Sequence, residues 1–599
     1  MNAGPGSPHD VYSSRIAARR LELEVFEKRG ALAARWRLVM LAAAALAGWG
    51  IVEHYLPAWT LALPIGAFIA LVAWQSKLDR AAAFVRRAIG FHERSLARVE
   101  NRWQGSGETG ERFLDPHHPY AADLDLFGRA SVFELLSTAR TRGGETRLAS
   151  WLKSAADVGE LRLRHEAVRE LQPMLDLREQ IAVLGEDIRT GVNADQLAHW
   201  ASVPPSPFPA WQRLAALALS IIAALALVWV FGTGFMDPAS RRALIITGLI
   251  EVGLFLTIRE RIMAGVAAVN EPARDLDILA ELLATLEARR FTSTKLAGLR
   301  AAIDVEGRAA SRRIARLRRL MELLDSRDNL VLRVIGPLLL WTPQTMMAIE
   351  AWRAANGRFI PGWLDALSEI EALSALANYA WEHPSDPFPQ FEEGTSVFDG
   401  EEMTHPLIPS ERAVPNSVRL SAERTRVLVV SGSNMSGKST LLRTIGVNTV
   451  LALAGAPVRA KRLTLTRVAL GASIRTIDSL EEGQSRFMAE ILRLKQILEL
   501  PTPAMFLLDE LLHGTNSHDR AIGSEGLLRA LLDRGFIGLV TTHDLTLARV
   551  ATELAPAAEN VHFEDRLENR LLRFDYRMRP GVVERSNALD LMRAVGLEV

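Results

Sequence analysis

The chain has 599 residues, with 70 Lys and Arg against 70 Asp and Glu, so no net field steers it onto DNA or anionic lipid and any such contact must come from a local patch. Hydrophobic residues make up 49% and charged residues 23%, which excludes disorder for most of the chain. Cysteine is absent, which excludes disulfides, thiolate nucleophiles, Fe–S clusters and Cys-type zinc sites.

Residues 1–14, with Gly, Pro and Ser, read as a disordered start. Leu38–Val52 carries no charge, Glu53-His54 interrupts it, and Tyr55–Trp74 is again uncharged. This pattern predicts a tight helical hairpin turning near Glu53-His54-Tyr55-Leu56-Pro57. Leu214–Met236 is a third uncharged run, and Ala243–Ile258 a fourth with Glu251 at its middle. A helix needs about 20 apolar residues to cross the hydrocarbon. The third run meets this easily, the second just does, and the first borrows from its flanks. In the fourth, Leu, Ile, Val and Phe supply about −5 kcal/mol against about +3 for Glu251, so insertion alone is marginal. Glu251 either faces a partner helix as a functional carboxylate or hydrates near an interface. Buried core helices are the alternative for all four runs, but those are usually shorter and amphipathic. Arg15, Arg19, Arg20, Lys28, Arg29, Arg35 and Arg37 precede the first hairpin; Lys77, Arg80, Arg86 and Arg87 follow it. Its turn has no Lys or Arg, which predicts cytoplasmic ends. Arg241 and Arg242 in the second turn pull against Arg259 and Arg261.

From about Arg424 the pattern changes. Arg426–Val430 is a short buried-strand run, followed by Gly432-Ser433-Asn434-Met435-Ser436-Gly437-Lys438-Ser439-Thr440 and a helical stretch. This is the phosphate-cradling G-x-x-x-x-G-K-S loop in its required context of strand before and helix after. The glycines turn backbone N–H groups toward the phosphates, and the helix N-terminus adds positive potential. Lys438 is expected at the β/γ-phosphates and the Ser439 hydroxyl at Mg²⁺. A second run, Ala504–Leu508, ends in Asp509-Glu510. Asp509 would hold the Mg²⁺, and Glu510 would orient or deprotonate the attacking water. A third run ends in Thr541-Thr542-His543-Asp544, which makes His543 a γ-phosphate sensor. Glu481-Glu482-Gly483-Gln484-Ser485 opens a helical stretch whose start could meet an anion, a weak signal alone.

These motifs, in this order, resemble the MutS ATPases, on the ABC-type branch of P-loop NTPases. GSNMSGKST is similar to that family's GPNMGGKST, GASIRTIDSLEEGQSRFMAE to its GASD…GxSTFMxE segment, LLDELLHGTNSHD to its DExGRGTSTxD, and VTTHD to its ATH. His405-Pro406-Leu407-Ile408 and Val414-Pro415-Asn416 resemble the pieces leading into its ATPase core, and Phe574–Gly581 its tail strand. Asp123–Leu171 more weakly resembles the start of the family's helical core, with Arg147 one place late, and Trp363–Pro387 resembles the helical return before the ATPase. The resemblance implies ATP and Mg²⁺ as cofactors, a homodimer through the ATPase domains, and Ser485 acting in trans on the partner's γ-phosphate. The family's mismatch-reading and connector domains have no room before residue 120, and its C-terminal dimerisation helices are expected to be cut short.

The implied architecture is an α/β P-loop NTPase of ABC/MutS type at the C-terminus, an all-α core and lever region, and four transmembrane helices in two hairpins. Expected boundaries are a cytoplasmic N-terminal segment (1–36), a first hairpin (37–76), a helical linker (77–120), the first part of the core (121–210), a second hairpin (211–258), the lever and core return (259–395) and the ATPase (396–599). The expected location is the inner membrane, with the ATPase in the cytoplasm. Lys295, Arg300, Arg308, Arg312, Arg313, Arg316, Arg318 and Arg319 make a local basic cluster. It reads either as a salt-sensitive DNA contact or as a solvated or lipid-facing stripe. Three functions stay open: an ATP-driven clamp with DNA as a candidate partner, a membrane scaffold or remodelling ATPase without DNA, and an ABC-type transporter.

Overall fold

The computed structural model describes residues 6–191, 194–205, 208–233, 237–269, 276–305, 307–433, 435–475, 486–512, 515–543, 545–568 and 571–582. They fall into two units: 1–138 with 146–174 and 372–599, and 139–145 with 175–371.

In the first unit a helix starts at Pro8. The Ser7 side chain accepts from Asp10 N, and Pro8 takes the first helical position, where its missing N–H costs nothing. The expected disordered start is therefore corrected for residues 8–14, which belong to the helix Pro8–Val52, while residues 1–5 lie outside the described residues. It turns through a short 3₁₀ segment, Ala58–Leu61, into the helix Ala62–Val99. The ion pairs Arg20–Glu93 (2.7 Å) and Arg86–Glu27 (2.8 Å), and the Arg37–Gln75 hydrogen bond (2.8 Å), fix the two helices as antiparallel neighbours. The turn falls where the sequence places it, and both helices run well past the apolar stretch. At the base of the hairpin the Arg98 guanidinium donates to both oxygens of Glu382, at 2.8 and 2.7 Å, and the Tyr12 hydroxyl lies 3.3 Å from the same carboxylate. Arg98 and Glu382 are both buried, so each charge depends on the other.

The C-terminal part of this unit is built on strands β1 (Gln390–Glu392), β2 (Val397–Met403), β3 (Asn416–Ser421), β4 (Val427–Ser431), β5 (Arg462–Thr466), β6 (Ala469–Ser473), β7 (Ala504–Leu508), β8 (Ile537–Thr542), β9 (Ala558–Glu568) and β10 (Leu571–Pro580). Among the described residues, one sheet has the order β10-β9-β4-β8-β7-β6, parallel except for the edge strand β10. The other has the order β1-β5-β2-β3. Strands β4, β7 and β8 are buried along their whole length, as continuous apolar runs in a helix-covered parallel sheet should be. One face packs Val427, Val429, Phe506, Leu508 and Val540 against Leu528, Leu531, Leu547 and Ala551. The buried helix Lys438–Ala454 follows β4. This is the α/β P-loop architecture expected of the C-terminal part.

Among the described residues the regular structure of the second unit is helical apart from a two-residue ladder, Asp304–Val305 with Arg308–Ala309. Its core follows helical spacing: Leu279, Leu282, Leu283 and Leu286 on one helix, and Ile314, Leu317, Met321 and Leu324 on Ala310–Asp325. Two apolar helices, Ala210–Thr233 and Pro238–Val269, pack side by side. A buried carboxylate, Glu371, accepts from Arg140 N and Thr141 N (3.2 Å each) and from the Thr141 hydroxyl; burial pushes it up to about 7.

Three described helices are long and apolar enough to cross a membrane: Pro8–Val52, Ala58–Val99 and Ala210–Thr233. The fourth expected run lies in Pro238–Val269, which is not among the three. Glu251 and the flanking Arg241, Arg242, Arg259 and Arg261 dilute its apolar stretch.

Candidate nucleotide site

The strand order decides where the functional side chains meet. Parallel pairing of β4 with β8, and of β8 with β7, brings the C-terminal ends of all three together. The loop 432–437 leaves β4, Asp509-Glu510 leaves β7, and Thr541-Thr542 ends β8 between them. Gly432 (φ 150°) and Gly437 (φ 106°) take backbone conformations that side-chain-bearing residues rarely adopt. At Gly432 a Cβ would stand 2.9 Å from Ser436 Oγ and 3.2 Å from Phe563 O, so the loop has no room for one.

Lys438 is buried, and its Nζ donates to Gly432 O (2.8 Å) and Ser433 O (2.9 Å). Burial pushes the ammonium pKa down, and Glu510, 3.7 Å away, with Asp509 pulls it back. Thr541 is fully buried and serves both acids: its hydroxyl donates to Asp509 Oδ1 and accepts from Glu510 N (3.1 Å). Glu510 itself has φ 47°, a left-handed conformation that costs a non-glycine residue on the order of 1–3 kcal/mol and that clusters at functional sites. His543 Nδ1 lies 3.6 Å from Glu510 Oε1.

A cavity of about 850 Å³ opens over the loop, lined by Met435, Gly437, Lys438, Ser439, Thr440, Asp509 and Glu510. Gly432, Ser433 and Ser436 form the loop beneath it. His543 meets Glu510 but does not line the cavity, while Asn434 and Ser485 lie outside the described residues. The helix Arg486–Leu498 begins directly after Ser485.

The residues fit a nucleotide triphosphate with Mg²⁺. Among the described residues the buried hydroxyls of Ser433 and Ser436 have no partner, and a buried ammonium is held by its own loop carbonyls and by acids that a metal would claim. All are donors of one loop that leads into a helix N-terminus, the setting in which phosphate oxygens bind. Ser439 and Asp509 are the side chains that would hold Mg²⁺, which takes few protein ligands and completes its shell with phosphate and water.

Several residues of the site escape motif reading. Asn416 and Tyr576 line the far wall: Asn416 Nδ2 donates to Tyr576 O (3.0 Å), and Met578 N donates to Asn416 Oδ1 (2.8 Å). Tyr576 has φ 55° and lies over Gly437. Both fall in segments the sequence singles out, without a role for the side chain. The Glu490 carboxylate accepts from Leu512 N (2.6 Å) and so anchors the turn after Glu510. Asp123 Oδ1 accepts from Ile474 N (2.7 Å) and Arg475 N (2.8 Å), holding the end of β6 where the chain leaves toward Ser485.

Residues 428–598 match the family described as MutS domain V. That stretch of the chain is similar to MutS domain V. Over 256 residues it is 34% identical to Endonuclease MutS2 of Thermus thermophilus, covering 41% of this chain and 32% of that one. It is 31% identical over 248 residues to the DNA mismatch repair protein MSH3 of Phaeosphaeria nodorum (40% and 22%), and 31% over 237 residues to the DNA mismatch repair protein MutS of Desulfosudis oleivorans (38% and 27%). The matches therefore span about a third or less of these relatives' length. The relation to the MutS family rests on that shared region.

Proposed function

We propose that the chain is a membrane-anchored, MutS-type ATPase that binds ATP with Mg²⁺ and hydrolyses it between two copies, driving a clamp or switch. The observation that carries this is the joining of Asp509 and Glu510 through Thr541, with Lys438 3.7 Å from Glu510, at the C-terminal ends of three adjacent strands. Lys438 moves from its loop carbonyls to the β/γ-phosphates. Ser433 and Ser436 lie in the loop that wraps them. Glu510, held by Thr541 and close to His543, orients water and takes its proton. Bound Mg²⁺ supplies charge neutralisation at the phosphates. Ser485 is assigned to the partner's triphosphate.

Membrane anchoring at the inner membrane, with the ATPase in the cytoplasm, is supported by the first hairpin. Trp36 and Trp74 lie exposed at one end of its apolar part, and Trp49, Tyr55 and Trp59 at the other. Such aromatic girdles belong at the two membrane interfaces. For DNA, Lys295, Arg300, Arg313 and Arg318 already have partners within the second unit. Arg308, Arg312, Arg316 and Arg319 are exposed, the last three on one helix at near-turn spacing, as a stripe for phosphates. The relatives' names carry DNA repair for those proteins, and the stripe brings DNA here as a candidate partner.

The test is Glu510→Gln in purified, detergent-solubilised protein. Hydrolysis should fall at least about 100-fold while ATP remains bound and traps a dimer. Hydrolysis at the wild-type rate overturns the assignment. Titration with duplex, mismatched and branched DNA at two salt concentrations separates the partners. Steep salt dependence supports the clamp, and no binding at low salt leaves the scaffold or remodelling reading.

A further inference from the structure

The helix Ala210–Thr233 turns Leu214, Leu217, Ile221, Leu225 and Val228 outward, each at least half exposed. Its buried side carries one hydroxyl, Ser220. Ser220 Oγ donates to Leu339 O (2.7 Å), and Gln344 Nε2 donates to both Ser220 Oγ (2.6 Å) and Leu339 O (2.8 Å). These bonds pin a third apolar segment, residues 330–343, onto the helix.

That segment reads Leu-Val-Leu-Arg-Val-Ile-Gly-Pro-Leu-Leu-Leu-Trp-Thr-Pro, with Arg333 its single charge. It is not one continuous helix. Leu330–Ile335 is helical, Pro337–Leu339 is a 3₁₀ turn, Leu340 is left-handed (φ 43°), and a new helix starts at Trp341. Gly336 permits the bend, since a Cβ there would stand 2.3 Å from Leu332 O. The carbonyl that the break frees at Leu339 is the one taken by Ser220 and Gln344. Irregular backbone is tolerated inside hydrocarbon under that condition, with its polar groups met by protein.

Depth follows from helix rise. Ser220 lies seven residues beyond Arg213, about 10 Å along the axis. Arg213 shares a cavity with Arg316 and Asn356, so both flanks of the segment return to the Arg213 end. Val334, on the bend, is 71% exposed. An apolar cleft of about 800 Å³ separates the segment from Pro238–Val269, and Arg327, Arg333 and Glu251 line it. An apolar cleft whose wall carries two cations against one carboxylate suits acyl chains beneath anionic phosphates.

We infer that residues 330–343 form a re-entrant wedge that enters the near leaflet beside Ala210–Thr233, to a depth of about 10 Å, and leaves on the same side. Its partner is phospholipid: chains in the cleft and around Val334, phosphates at Arg327 and Arg333. The inference rests on the membrane-anchor reading, and the experiment separates the two. Because the chain lacks cysteine, single cysteines need no background removal. Val334→Cys, Leu225→Cys and Arg290→Cys would each carry an environment-sensitive nitrobenzoxadiazole label in full-length protein reconstituted into phosphatidylglycerol/phosphatidylcholine vesicles. Nitroxide-bearing lipids, with the quencher near the headgroup or deep in the chain, report depth. The label at Val334 should be quenched several-fold more strongly by the shallow nitroxide than by the deep one, the label at Leu225 more strongly by the deep one, and that at Arg290 by neither. If Val334 behaves like Arg290 while Leu225 is quenched, the wedge is refuted and the anchor stands. If Leu225 is not quenched either, the anchor fails and takes the wedge with it.

Discussion

The nucleotide site and the apolar helices break the usual rules of burial in opposite directions. Around the P-loop a lysine and two hydroxyls without a partner among the described residues are drawn inward. Along Ala210–Thr233 and the tip of the first hairpin, Leu, Ile, Val and Trp are turned outward. Each departure costs free energy in water, and on the proposed function a polyanion offsets it in one case and hydrocarbon in the other. Function is legible in both places as unmet demand.

The strongest way to break the contrast is at Lys438. Lys438→Ala removes the ammonium from the cradle, and ATP affinity, measured by isothermal titration, should fall by more than about 100-fold. Retained affinity would mean that the buried amine is structural. Next is the base of the first hairpin. Arg98→Ala strands the Glu382 carboxylate in a buried setting and should destabilise the first unit by about 3–5 kcal/mol, read from denaturant midpoints. Arg98→Met with Glu382→Leu should recover much of that loss, because the cost lies in the unpaired charge.

A pH titration sharpens the ATPase side. His405 lines the nucleotide cavity, and burial, with the Arg443 cation second, pushes it down from 6.5 to about 4. Between those values the unfolded chain binds a proton that the folded one refuses. Stability is therefore full above 6.5 and declines as pH falls toward 4, by about 3 kcal/mol for this group. His405→Gln should flatten that part of the melting-temperature profile, leaving the share of His165, which burial also pushes down to about 4. The smallest effect is expected at Asn416→Ala. Loss of its bonds to Tyr576 O and Met578 N should raise KM for ATP a few-fold and leave kcat nearly unchanged.

Local chemistry made the P-loop, Asp509-Glu510 and the apolar runs readable, since each is a short pattern whose physics is complete within a dozen residues. Thr541, Asn416, Glu490 and Asp123 act through strand order and cross-chain hydrogen bonds, which no spacing encodes. Arg98 and Glu382 meet across a separation of 284 residues. The segment 330–343 hid for a different reason: Gly336-Pro337 cuts its apolar run below the length that marks a span. At the N-terminus, an expectation built on Gly, Pro and Ser content gave way to a cap, because Ser7 and Pro8 are helix starters at those two positions.

The first hairpin is longer than a bilayer needs. Pro8–Val52 has 45 residues, about 68 Å of helix at 1.5 Å per residue, against a hydrocarbon layer of about 30 Å. On the anchoring proposed above, over 30 Å of paired, charge-studded helix stands clear of the lipid as a stalk. A rigid standoff of that height gives two tethered ATPase domains clearance to meet face to face above the headgroups, so the tether raises their local concentration without blocking the encounter.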